Sequence, residues 1–201
     1  WGIERFTVQL ATVELFVGMT MGLIMPFMNI YFIYRLGTTR EFFGTIAALA
    51  VFPVSIATAL GPSVAARMGT VRAVTASRFI IPACTLALAL TSHGLLATTA
   101  YWGYRALFTM GASIWFSFAM GAAAPRARAA ASAWLEITFW LGMGIAAWVT
   151  GPLLAVGNYA LPFYLSSATA VISGLLTHIF MDSRDEHPVQ QSARKRSRPK
   201  E

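Results

Sequence analysis

Lysine is absent from this 201-residue chain until Lys195. A phosphate-cradling loop of the Walker type needs Gly-Lys-Ser/Thr, so no nucleotide engine sits in the residues before it. The same gap excludes a Schiff-base lysine, such as one holding retinal, from every apolar segment. Cysteine is almost absent too. Cys84 stands alone inside an apolar run, so no intramolecular disulfide can form. Together with three histidines at unrelated positions, it makes no zinc-ligand pattern. Neither a metal nor an organic cofactor is expected. Charge itself is scarce. Asp, Glu, Lys and Arg make up 11% of the chain, against roughly 25% in ordinary soluble domains. A soluble globule of this composition would lack the polar surface to face water. No cleavable signal peptide is visible, and the chain starts at Trp1 rather than a methionine. It reads as a fragment of something longer.

What fills the chain is apolar: 57% of its residues are hydrophobic. They gather in six runs, Phe6–Tyr34, Phe42–Ala66, Ala73–Thr91, Leu95–Ala124, Ala129–Ala155 and Tyr159–Met181. Each has at least roughly the 20 residues that cross a hydrocarbon layer as a helix. Barrel strands would alternate polar and apolar residues over about 10 positions. These runs are apolar on nearly all faces, which favours helices. The expected fold is all-α, an integral membrane bundle of six transmembrane helices over residues 1–181. A polar tail, residues 182–201, follows. It contains Pro188 and Pro199, has no apolar periodicity, and is expected to be disordered.

The net charge of +7 is distributed, not concentrated. A nucleic-acid binder would gather it on one exposed face. Here most basic residues flank the runs or sit in the tail, so the lipid bilayer is the expected partner and nucleic acid is not. With the N-terminus in the cytoplasm, one side holds Arg5, then Arg67, Arg72 and the nearby Arg78, then Arg126, Arg128 and the basic tail. The other side holds only Arg35 and Arg40. This positive-inside bias places both ends in the cytoplasm of a multi-pass chain.

Two stretches match each other. Run two ends Gly61-Pro62-Ser63-Val64-Ala65, and run five ends Gly151-Pro152-Leu153-Leu154-Ala155. Each closes the second helix of a three-helix set, and the two leave the membrane on opposite sides. Two triplets of inverted topology would give this 3+3 pattern. The stretch from Gly61 to Arg72 also resembles the cytoplasmic loop motif of the major facilitator superfamily. Gly61, Arg67, Gly69 and Arg72 match it, while Ala66 stands where an acidic residue is expected. Pro26-Phe27-Met28-Asn29-Ile30-Tyr31 looks like the outer half of helix seven in drug-efflux members. Pro125 to Arg128 and Tyr159 to Phe163 look like the starts of helices eleven and twelve. The resemblance covers residues 1–181 and rests on order and spacing, since no single motif is specific. It implies the C-terminal six-helix half of a twelve-helix transporter, with an N-terminal six-helix half as partner, in a bacterial inner membrane.

Three ionisable residues interrupt the runs: Glu14, Arg105 and Glu136. Charge inside a membrane is costly and faces a protein interior or water, so these are candidates for proton coupling or substrate contact. At 1.5 Å per residue, Glu14 and Glu136 lie at one level, about 9 Å to the cytoplasmic side of their run centres. Arg105 lies about 7 Å to the outer side. Which carboxylate Arg105 pairs with, if either, stays open. The helical faces around these charges carry Met21, Met25, Asn29, Tyr101, Thr109, Phe116 and Trp140. Methionines and rings around a few polar groups make an adaptable apolar surface. The bland reading of such stripes is helix packing. The resemblance gives runs one and four to helices that line the central cavity. Gly18, Gly22 and Pro26 share one strip of run one. The glycines permit a close neighbour, and Pro26 predicts a kink.

The expected function is therefore secondary active transport by alternating access, and no enzyme activity. Proton-coupled export of small hydrophobic or amphipathic compounds leads, with uptake of a small organic anion at Arg105 as the rival substrate reading. A membrane scaffold with no transport cycle is a reading of another class. An intramembrane serine protease using Ser113 and His178 is a third. It lacks the glycine expected after its serine, and His178 lies far in depth from Ser113.

Overall fold

The computed structural model describes residues 2–123 and 128–181, and these form helices with no strand among them. In order the helices are α1 (Gly2–Gly22), the single turn α2 (Met28–Ile30), α3 (Arg40–Leu49), α4 (Val51–Met68), α5 (Thr70–Leu90), α6 (Gly94–Ala122), α7 (Arg128–Ala155) and α8 (Leu161–Met181). Arg126 and the basic tail lie outside the described residues, as does the side chain of Arg5. Five segments are long and apolar enough to cross a membrane: Phe6–Arg35, Arg40–Met68, Thr70–Leu90, Arg128–Ala155 and Leu161–Met181. The helix α6 fills the fourth expected run over 29 residues. It does not join the five, because Arg105, its tyrosines and tryptophans, and its glycines lower its mean hydropathy.

Two prolines cut the first two runs. Pro26 sits in a 3₁₀ turn, Met25–Phe27, after α1 has stopped at Gly22, and the chain continues through α2 into a π-helical turn, Tyr31–Arg35. The expected kink is thus a full interruption. Carbonyls released near a break must find other donors when no water reaches them. The Ser166 hydroxyl of α8 donates to Thr20 O at 2.8 Å, and the Thr150 hydroxyl of α7 donates to Leu23 O at 3.0 Å. A second interruption falls at Ala50, between α3 and α4, just ahead of Pro53. Proline has no N–H to give the preceding turn, which explains the place. Beside it, the Trp102 indole donates to Ile46 O at 2.8 Å.

α5 and α8 pack on each other at the centre. α1 lies along α7 and touches α8, while α6 lies along α5 and α4. The α1–α7 seam is close enough for backbone contact. A Cβ on Gly18 would strike Phe139 O, one on Gly22 would strike Met143 O, and one on Gly142 would strike Leu15 O. Glycine is what these three positions require. The α4 and α7 spans are the least covered, with 11% and 17% of their apolar windows buried against 50% for α5. They turn Phe52, Ile56 and Leu60, and Trp134, Leu141 and Trp148, outward. Such faces need lipid or further apolar helices over them.

Candidate functional site

The helices line a half-open cavity of about 650 Å³ between α1, α5, α6, α7 and α8. Its wall is mostly apolar, with Phe108, Phe116, Phe139 and Trp140 among its rings, and it holds Glu14, Arg78 and Glu136. Glu14 is 8% exposed, on the face of α1 that looks into the bundle. Its strongest charged neighbour is Arg78 of α5, with Glu136 of α7 a weaker one. Glu136 is exposed at the cavity edge, where its carboxylate accepts the Trp140 indole N–H at 3.0 Å.

Arg78 corrects the sequence reading. It was grouped with the cytoplasmic flank, yet it is 6% exposed inside the bundle. The physical reason is the start of α5 at Thr70, which puts Arg78 about 12 Å along the helix. Its guanidinium lies over the Trp115 ring, 4.7 Å from the centroid. It donates to the Thr177 hydroxyl and, at 3.5 Å, to Ser173 O, both on α8. The Trp115 indole N–H lies towards Glu14 but outside hydrogen-bonding geometry, so that buried donor has no partner. The signal for Arg78 was present in its place as the sixth residue of an apolar run. It was masked by the nearer arginines of the loop.

A second cavity of about 250 Å³ adjoins the first and shares Phe108, Thr109 and Ala112 with it. Met21, Met25, Tyr104 and Arg105 complete its wall. Arg105 is half-buried, and its hydrogen-bond contact is the weak one to Met25 Sδ at 4.0 Å. Neither expected carboxylate pairs with it. The counter-charge of Glu14 is Arg78, because α5 and not α6 presents an arginine to that part of α1.

The other sequence candidates divide. Met21, Met25 and Thr109 line the smaller cavity, and Thr109, Phe116 and Trp140 line the larger one. Asn29 lines neither. It is exposed, and its side-chain oxygen accepts the Ile30 N–H at 2.9 Å, because the break after Gly22 rotates α2 away from the α1 face. Tyr101 is 2% exposed beside Arg105 and packs among Phe32 and Phe43, behind the cavity wall. In the loop motif, Gly61 is buried against Met110 and Ile114, and Gly69 joins α4 to α5 at φ 91° and ψ 147°. That backbone region is nearly closed to other residues, so Gly69 has a conformational reason. Arg67 and Arg72 are exposed on either side of it. Ser113 faces the larger cavity and donates to Met110 O at 2.9 Å, whereas His178 is exposed in the last turn of α8 and is no part of that wall.

Comparison with family models, curated proteins and solved structures finds no match to this chain.

Proposed function

We propose that the chain is one half of a secondary transporter of the major facilitator type, working by alternating access and exporting small hydrophobic or amphipathic compounds at the expense of a proton gradient. The observation that carries this reading is the larger cavity: about 650 Å³, walled by aromatic rings, with Glu14 buried in it beside Arg78. The volume suits a drug-sized molecule. A buried carboxylate with an arginine and a second carboxylate nearby can hold a proton in one conformation and release it in another. Glu14 is the proton-coupling residue, Arg78 its counter-charge, and Glu136 a carboxylate at the edge.

The packing supports two related triplets. Exchange of α1 with α6, α3–α4 with α7, and α5 with α8 maps the main contacts onto one another: α1–α7 onto α6–α4, α1–α8 onto α6–α5, and α5–α8 onto itself. An inverted repeat would pack this way. The interruption that follows α1 places a break in helical hydrogen bonding beside the smaller cavity, a point at which the two parts could reorient. The outward apolar faces of α4 and α7 suit a second six-helix half or lipid. The arginine bias at Arg67, Arg72 and Arg128 supports an orientation with both ends cytoplasmic, in what we take to be a bacterial inner membrane.

The test is transport of hydrophobic dyes, anionic, neutral and cationic, by the full-length protein in everted membrane vesicles, with an imposed pH gradient. Export should follow the gradient and collapse with an uncoupler. Glu14→Gln should abolish gradient-driven accumulation while leaving dye binding in place. Full gradient dependence in Glu14→Gln would remove Glu14 from the mechanism, and no gradient-dependent movement of any compound would remove the reading itself.

A further inference from the structure

We infer that the smaller cavity is a carboxylate subsite, which holds the acid group of an amphipathic organic anion whose apolar body lies in the larger cavity. The inference rests on the transport reading and narrows its substrate class. The first observation is the state of Arg105. A guanidinium has five N–H donors and no acceptor. Here it is half-buried among methionines and rings, and among the described residues its hydrogen-bond contact is a thioether at 4.0 Å, with the Tyr101 phenol, itself a weak neutral partner, beside it. No carboxylate among the described residues pairs with it. Arginine prefers a planar, two-oxygen acceptor, and a carboxylate offers one at the right spacing.

The second observation is Tyr104, the neighbour of Arg105 in the chain. It is 1% exposed, lines the same cavity, and its buried hydroxyl has no hydrogen-bond partner. A buried hydroxyl is costly to leave unpaired. An anion held by Arg105 would be within the same small space and could accept the Tyr104 proton as well.

Size and charge set the ligand class. A space of about 250 Å³ admits a carboxylate with its first few carbons. The shared walls Phe108, Thr109 and Ala112 lead from there to the rings of the larger cavity. A phosphate dianion would need a second cation, and Arg78 is already held by Thr177, Ser173 and Trp115. One arginine matches one negative charge. Thr109, on both walls, marks the place where the polar head gives way to the apolar body.

The experiment measures binding of 2-naphthoate and of its neutral isostere 2-naphthamide to the full chain in nanodiscs of zwitterionic phosphatidylcholine, which offers no anionic headgroup. The acid should bind the wild type about tenfold or more tightly than the amide, as a charge-assisted pair requires. Arg105→Gln should erase that preference, bringing acid binding down to the level of the amide. Arg105→Lys should restore part of it, and Tyr104→Phe should reduce it several-fold. Equal binding of acid and amide to the wild type would overturn the subsite, whether or not any variant folds. So would an acid preference that survives Arg105→Gln. Addition of phosphatidylglycerol to the nanodiscs should leave acid binding unchanged, and competition by it would assign the site to a lipid headgroup instead. Proton-driven export with no acid preference would sink the subsite alone. An Arg105-dependent acid preference with no export would sink the transport reading alone.

Discussion

Among the described residues, Arg78 and Arg105 are the two arginines that the helices carry inward, and the protein treats them differently. Around Arg78 it has assembled a ring face from α6, a hydroxyl and a carbonyl from α8, and a carboxylate from α1. Around Arg105 it has left a cavity, one thioether and the nearby Tyr101 phenol, with no carboxylate among the described residues. The placement of the parent helices accounts for this. α5 is central and meets α6 and α8 along its length, whereas the Arg105 turn of α6 faces the place where α1 breaks. A charge satisfied by its own chain belongs to the framework or to its conformational coupling. One left open beside a cavity belongs to whatever enters. The sharpest way to break this contrast is to remove each cation. Arg78→Gln removes the partner of Thr177, Ser173 and the Trp115 ring and takes the nearby positive charge from Glu14, and should cost about 2–4 kcal/mol of stability. Arg105→Gln should cost less than about 1 kcal/mol, since it breaks no pair. Thermal unfolding of the two variants in one detergent checks this, and equal losses would abolish the distinction.

The next effect in size concerns the seam that holds both cavities in register. Gly22→Ala drives a methyl group into the Met143 backbone, which cannot yield as a side-chain tip would. The expected loss is about 1–3 kcal/mol, with α1 and α7 forced apart. Gly44→Ala is the control, because a Cβ there meets nothing within 4 Å. It should be neutral or slightly stabilising, since alanine favours the helix more than glycine does. A matched loss in both would mean that the seam is looser than its contacts indicate.

Much of the fold was legible because apolar runs and prolines act locally. The runs became helices within a few residues of their expected ends, and Pro26 fell where the first one stops. Pro53 carries the same signal for the Ala50 interruption, but the run around it is otherwise unbroken and reads as one helix. The candidate site was legible in part. Glu14 and Glu136 were placed at one level from residue counting alone, and both do line one cavity. Counting could not show that α5 faces α1 across that cavity, so Arg78 was assigned to the flank and Arg105 was offered as the carboxylates' neighbour. Asn29 was misplaced for a related reason. A face drawn at 100° per residue does not survive a helix break, and Asn29 lies beyond one.

The smallest effect separates two contributions at Trp115. Its ring lies 4.7 Å from the Arg78 guanidinium, while its indole N–H is buried with no partner. If the ring face is the contact that matters, Trp115→Phe keeps an aromatic face under the cation and removes a donor that was satisfying nothing. A phenyl ring attracts a cation less than an indole does, and a buried cation–π contact contributes roughly 1–2 kcal/mol. Loss of the unpaired N–H offsets part of the difference. The net cost should stay below about 1 kcal/mol by thermal unfolding. Trp115→Leu removes the aromatic face altogether and should cost more than Trp115→Phe. If instead Trp115→Phe destabilises the protein as much as Arg78→Gln, the indole N–H anchors Glu14. The counter-charge at the larger cavity would then be shared between Arg78 and Trp115, and the contrast with Arg105 would rest on hydrogen bonding to the carboxylate rather than on the arginine's own surroundings.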